Sequence, residues 1–247
     1  AAVNALDAGS TLTLCKDVDL GDDGMYLWIK KGTAAQPVTI DLNGKKITVK
    51  REDCVLVVGD GNSTPTVIIK NGTIENSHTE TGHGIMNYGN LTMSGGSVTG
   101  YYGIRNLGIL TVSGGTVEGK GSFAIENYSN AISCTIGAAT IKSDNNLGIK
   151  AEVNVTLTAW PTFSGNSTDI DLADVEIVLG DGFAVPTTEF NKMKVKAAGD
   201  DPFTITSGYA AHCTDAQSNV IDPASVFTWT GDDNYVFVLD DDEVVNR

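Results

Sequence analysis

The sequence is short of cations: 16 lysines and arginines stand against 31 aspartates and glutamates, a formal charge of −15. A nucleic-acid backbone is held through a cationic face, so nucleic acid is excluded as a partner. Proline is scarce too, at 6 residues, and the scarcity leaves long stretches free to pair as strands. No apolar run approaches the roughly 18 residues of a membrane-spanning helix, so no membrane insertion is expected. The three histidines are too few for a histidine-rich metal tract. The four cysteines, Cys15, Cys54, Cys134 and Cys213, lack any C-x-x-C spacing, which argues against a zinc site or a redox pair. Three of them sit in strand-like runs and read as small buried apolar residues. Were a disulfide to form, Cys15 and Cys54 would be the pair. Helical periodicity is missing as well, and the repeats leave no room for the crossover helix of a βαβ unit.

What the sequence has is a repeat. From Gly84 to Asn127 the pattern G-I-x-N, a short turn, then L-T-x-S-G-G-x-V-x-G occurs almost twice over. Equivalent isoleucines fall at Ile85, Ile104, Ile125, Ile149 and Ile170, with spacings of 19, 21, 24 and 21 residues. A period near twenty is the mark of a solenoid. Within each repeat, apolar residues alternate over short runs, as at Leu91 and Met93 or Leu110 and Val112. Glycine pairs such as Gly95-Gly96 and Gly114-Gly115 end those runs. Three short strands per repeat, coiled so that each turn hydrogen-bonds to the next, make an all-β parallel β-helix. Like residues then stack on like, and Asn87, Asn106 and Asn127 are expected to form a structural amide ladder at one corner.

Taken in order, residues 1–9 read as a short helical cap, with Val3 and Leu6 on one face and Gly9 as its stop. The run 25–30 alternates, placing Leu27 and Ile29 on one face and Tyr26 and Trp28 on the other. About six or seven coils follow, the later ones marked by Ile132, Ile141 and Ile149, and the last recognisable strand is Val175 to Leu179. The division expected is a solenoid with its N-terminal cap over 1–186 and a small β-rich C-terminal cap over 187–247. In that cap Asp222-Pro223 opens a helical turn. A hairpin joins Phe227–Thr230 to Tyr235–Leu239, and Asp240 to Glu243 is a solvated acidic turn.

The runs A-L-D-A-G-S-T-L-T-L-C-K-D-V-D-L, V-T-I-D-L-N-G-K-K-I-T-V and L-T-V-S-G-G-T-V resemble a known family, as do F-T-I-T-S-G-Y and Y-V-F-V-L-D-D-D-E-V-V near the end. These are the right-handed, single-stranded parallel β-helix segments of large surface proteins from Gram-positive gut bacteria. The resemblance spans nearly the whole chain and specifies scaffold more than activity. It implies a secreted or cell-surface, adhesin-like module without catalysis. Its partners would be host or dietary glycans or host surface proteins. The alternatives are a purely structural spacer and, behind both, a polysaccharide lyase or hydrolase.

The same solenoid resembles pectin lyases and polygalacturonases, which implies catalytic motifs on its coils. Gly82-His83-Gly84 matches a G-H-G, but Gly148-Ile149-Lys150 lacks the arginine of an R-I-K. Of the carboxylates that precede His83 in sequence, neither Asp41 nor Glu75 fits the paired arrangement that glycoside hydrolysis needs. His83 is expected in the turn leading into the Ile85 strand. Candidate ligand-binding residues are the aromatics Tyr26, Trp28, Tyr101, Tyr102 and Trp160, each with an apolar ring face. Asp17, Asp19, Asp22 and Asp23 form an acidic cluster whose oxygens suggest Ca2+, ahead of Asp232-Asp233-Asn234 and Asp240-Asp241-Asp242.

Overall fold

A computed structural model describes residues 6–22, 26–144, 146–198, 203–231 and 235–246. They form a parallel β-helix with three faces: sheets of eleven, seven and nine strands, each visited once per coil. The first coil consists of Thr11–Thr13, Val18–Asp19 and Leu27–Ile29. Seven coils contribute to all three sheets, and the last of these is Val155–Leu157, Thr162–Ser164 and Thr168–Ala173. That agrees with the repeat count.

The stacking follows from residue type. In the nine-stranded sheet the register runs Ile85, Ile104, Ile125, Ile149, Ile170 and Val195, all inward and fully buried. In the eleven-stranded sheet Val38, Val67, Leu91, Leu110, Cys134, Val155 and Ile177 make the matching column. In the seven-stranded sheet the column is Ile47, Ile74, Val98, Val117, Ile141 and Phe163. Burying each large aliphatic side chain stabilises by about 1.5–3 kcal/mol. A one-residue slip would turn a whole strand's apolar set outward, so the columns also fix the register. Ile132 is not in its column. It lies 70% exposed, and Cys134 occupies the inward position opposite Leu110.

Beyond Leu179 two of the three ladders continue. Met193–Ala198 and Phe227–Trp229 extend the nine-stranded sheet, and Phe203–Ser207 extends the eleven-stranded one, all in parallel. The expected hairpin between Phe227–Thr230 and Tyr235–Leu239 is therefore not formed. Phe227–Trp229 pairs with Met193–Val195 instead, and Phe237–Asp240 forms its hairpin with Glu243–Asn246. Asp241, with φ at 53°, sits in that hairpin's turn. Glu243–Asn246 in turn lies antiparallel on Phe203–Ser207, so the cap ends the parallel ladder with strands of opposite direction. The helical turn Pro223–Val226 is present, and its Asp222 cap accepts from the Ala224 amide at 3.0 Å.

At the other end, residues 6–9 form a turn rather than the end of a helix; residues 1–5 lie outside the described residues. Gly9, at φ +80°, donates to the Gln36 carbonyl of the next coil at 3.0 Å, and Ser10 closes the turn on the Asp7 carbonyl at 3.1 Å. All four cysteines are free. Of Cys15, Cys54 and Cys134, the three in strand-like runs, Cys54 and Cys134 are buried as expected but Cys15 is exposed; Cys213 is buried as well. Cys15 shares strand parity with the exposed Thr11 and Thr13, whereas Leu12 and Leu14 face in.

Candidate functional site: the outer face of the nine-stranded sheet

Strands His83–Asn87, Tyr102–Asn106 and Leu147–Ala151 share an unusual pattern, in which the first and fourth side chains face out. The second position explains it. Gly84 and Gly103 sit so close to the core that an added Cβ would lie 2.6 Å from Val98 and 2.8 Å from Val117. The backbone dives inward there, two successive residues face the core, and the outward positions shift by one. The repeat thereby lays three columns of side chains along one face.

The first column is aromatic. His83 stacks on Tyr102 with ring centroids 4.8 Å apart and planes 18° from parallel. Phe123 follows at 5.9 Å from Tyr102, and Tyr101 meets the same ring edge-on at 4.9 Å. His83 is the first residue of its strand rather than part of the preceding turn. Burial among these rings, with the Arg105 charge nearby and Asp53 opposing, lowers its pKa to about 4, so the imidazole is neutral at physiological pH.

The middle column reads Trp28, Val57, Met86, Arg105, Glu126, Lys150, Asp171 and Lys196 in unbroken register. Its first part is apolar, and its second alternates in charge. Arg105 Nε lies 3.4 Å from a Glu126 carboxylate oxygen, and Lys150 lies 3.6 Å from Glu126 and 2.9 Å from Glu152. Burial raises the Glu126 pKa, and the neighbouring Arg105 and Lys150 charges work against that shift. The third column occupies the turn that follows each strand. Tyr88, Leu107 and Tyr128 donate their amides to Val58, Asn87 and Asn106 of the preceding coil. The Arg105 guanidinium rests over the Tyr128 ring at 4.3 Å.

At the apolar end these columns frame a groove of about 300 Å³, lined by Tyr26, Trp28, Val57, Met86 and Tyr88, with Asp53 and Asp60 at its rim. The Trp28 indole is fixed by a hydrogen bond to the Gly59 carbonyl at 2.8 Å, and Lys30 lies 3.4 Å from its ring centre. Lys30 also pairs with Asp60 at 3.1 Å. Hydrogen bonds from Asn62, Lys30 and Ser63 lower the Asp60 pKa to about 2. The Tyr88 hydroxyl donates to Met86 Sδ at 3.0 Å.

No protein-family model matches the sequence, and neither the curated proteins nor the solved structures contain a match to it.

Of the expected aromatics, Tyr26, Trp28, Tyr101 and Tyr102 gather on or beside this one face, in two pairs. Trp160 does not join them. It packs against Phe183 and Phe190 beside the seven-stranded sheet. His83, Tyr88, Phe123 and Tyr128 belong to the face and were not anticipated as binding residues. The signal was available, since the residue before G-I or A-I is aromatic in three successive coils (His83, Tyr102, Phe123), and the residue after the asparagine reads Tyr88, Leu107 and Tyr128.

The acidic cluster is spread along the first coil. Asp17 accepts from the Lys46 amide and Asp19 from the Gly21 amide, each at 2.9 Å, while Asp22 is exposed. Asp23 lies outside the described residues. Among the described residues no three histidine, cysteine or carboxylate side chains come together as a metal would need.

Proposed function

We propose that this chain is a non-catalytic, extracellular, adhesin-like module that binds a glycan along the outer face of its nine-stranded sheet. The observation that carries the reading is the continuity of the face. Tyr26 and Trp28 in the first coil, Val57 in the second, His83, Met86 and Tyr88 in the third, Tyr102 in the fourth and Phe123 in the fifth follow one another along the face. Ring faces of this kind stack on the apolar face of a sugar, while adjacent charged groups serve its hydroxyls. The charge of −15 repels polyanions, so neutral or basic glycans fit better than sulfated or uronic-acid-rich chains. The resemblance to surface proteins of Gram-positive gut bacteria supports a cell-surface location.

The absence of catalysis is part of the same proposal. His83 and Lys150 fall in the third and sixth coils, three strand spacings or roughly 14 Å apart. Asp41 and Glu75 lie on the other two sheets. Glu126 and Glu152, on the face itself, are both tied to Lys150.

A structural spacer is the second reading. It is favoured by the closed ion pairs of the charged half, which leave Arg105, Glu126, Lys150 and Glu152 already engaged. A glycan array with calcium and with a chelator separates the two. Saturable binding to one glycan class, weakened by Trp28→Ala and Tyr102→Ala but not by Trp160→Ala, supports the glycan reading. A silent array supports the spacer.

A further inference from the structure

The three faces of the solenoid do not end together. The eleven- and nine-stranded sheets each gain strands after the seventh coil, but the seven-stranded sheet stops at Thr162–Ser164. Residues 180–192, the chain's passage between the other two sheets at this level, form no strand and leave the edge at Thr162–Ser164 uncovered. Between that segment and the last strand is a cleft of about 750 Å³, within the usual range of ligand-binding clefts, roughly 300–1,000 Å³.

The edge inside the cleft has specific unmet valences. In the parallel ladder with Thr140–Ser143, Thr162 donates backward to the Ala139 carbonyl at 2.8 Å. Phe163, between Thr162 and Ser164, therefore aims its N–H and C=O the other way, into the cleft, where no strand of the described residues meets them. Its ring is only partly buried, although it ends the inward column Ile47, Ile74, Val98, Val117, Ile141. Trp160 and Phe190, edge to face at 4.9 Å, form the apolar wall. Of the charged residues at the cleft, Glu189 is exposed and the other three are occupied. Lys194 bonds the Asn166 carbonyl, Lys192 bonds the Ala224 carbonyl at 2.6 Å, and Asp169 accepts from Asn166 and the Lys194 amide.

We propose that this cleft binds an extended polypeptide segment of a partner protein, which adds to Thr162–Ser164 as the eighth strand of the sheet. An open, aligned strand edge is the template used in strand-addition recognition. The occupant is specified by continuity with the ladder it joins. It is a short strand of polar–apolar–polar pattern, parallel to Thr162–Ser164. Its middle side chain covers Phe163 and prolongs the apolar column, and its backbone meets the Phe163 N–H and C=O. Main-chain bonding supplies general affinity, and the single inward pocket supplies selectivity for an apolar centre. The strand edge that the segment joins belongs to the seven-stranded sheet, at the far end of the solenoid from the Trp28 groove, so the site stands or falls independently of the glycan reading.

Amide hydrogen exchange resolved by NMR tests it on the intact chain. In the free protein, the Phe163 amide exchanges at least about tenfold faster than those of Thr162 and Ser164. The probes are peptides Gly-Gly-Thr-X-Glu-Gly-Lys, which copy residues 114–120 with X as Val, Ile, Leu or Asp. Peptides with an apolar X are expected to bind saturably and slow Phe163 exchange by about tenfold or more, and the Asp peptide to do neither. Trp160→Ala should weaken peptide binding while leaving the response to glycans unchanged, and the lost packing against Phe183 and Phe190 should lower the melting temperature with or without peptide. A Phe163 amide already protected in the free chain would overturn the proposal. So would failure of every apolar-centred peptide to slow it, or a glycan that slows it where the peptides do not.

Discussion

The carboxamide of Asn87 donates to that of Asn106 across 2.8 Å, from one coil to the next, in the fully buried interior. Asn106 passes the bond on to Asn127, again at 2.8 Å. Each amide is also held by the backbone: Asn87 donates to the Ile109 carbonyl, Asn106 to that of Ser133 and Asn127 to that of Val153. The ladder spans three coils only, because Val58 precedes it in register and Ala151 follows it. Buried polar groups are tolerated here because each is satisfied by the next.

Replacing the middle rung should therefore hurt most. Asn106→Ala removes both inter-amide bonds and leaves the Asn127 oxygen facing the void. At about 1–3 kcal/mol for each buried group left without its partner, a loss of about 3 kcal/mol is expected. Asn127→Ala breaks one rung only and should cost about half as much. Urea unfolding of the two variants checks the order, and equal costs would count against a cooperative ladder.

The glycine pairs give a sharper contrast. Gly96 has φ +82°, and a Cβ there would lie 2.5 Å from the Gly72 carbonyl oxygen, whereas a Cβ at the adjacent Gly95 would meet nothing within 4 Å. Gly96→Ala should destabilise by about 2–4 kcal/mol through backbone strain and the clash. Gly95→Ala should stay within about 0.5 kcal/mol of the parent. Denaturation midpoints of the two variants decide this.

This much of the fold was legible because inward residues repeat in kind. Isoleucine under isoleucine and asparagine under asparagine are visible as a period in the sequence. The outward columns carry the same period but vary in chemistry. His83, Tyr102 and Phe123, or Tyr88, Leu107 and Tyr128, align only once the register is applied to the exposed side. Trp160 was grouped with the other aromatics by residue type alone, and its coil sends it to a different face. The end of the chain was misread for another reason. Phe227–Trp229 and Phe237–Asp240 are close in sequence and suggest a hairpin, but the unfinished parallel edge at Met193–Val195 captures the first of them. Sequence proximity says nothing about an edge left open more than thirty residues earlier.

His83 makes stability depend on pH in a stated direction. Its folded pKa lies near 4, below the ordinary histidine value of 6.5, so the unfolded chain binds the extra proton between those values. The stabilisation is present above pH 6.5 and is lost as pH falls toward 4. Glu126 and Asp169 have raised pKa values and contribute with the opposite sign at low pH, so the comparison must be differential. His83→Phe keeps a ring against Tyr102 and removes the titration. The stability gap between variant and parent should shift in the variant's favour by on the order of 2 kcal/mol from pH 7 to pH 4.5. A gap that does not change with pH would mean that His83 is solvated rather than stacked.

The central claim is that one continuous face, the outside of the nine-stranded sheet, meets the ligand. The most direct test is chemical-shift mapping by NMR as a glycan selected on the array is titrated into the labelled chain. The account predicts saturable shifts at Trp28, Met86, Tyr88, Tyr102 and Arg105, fading toward Asp171, with little change on the other two sheets. Shifts centred on the eleven- or seven-stranded sheet, or on the Trp160 cleft, would contradict it.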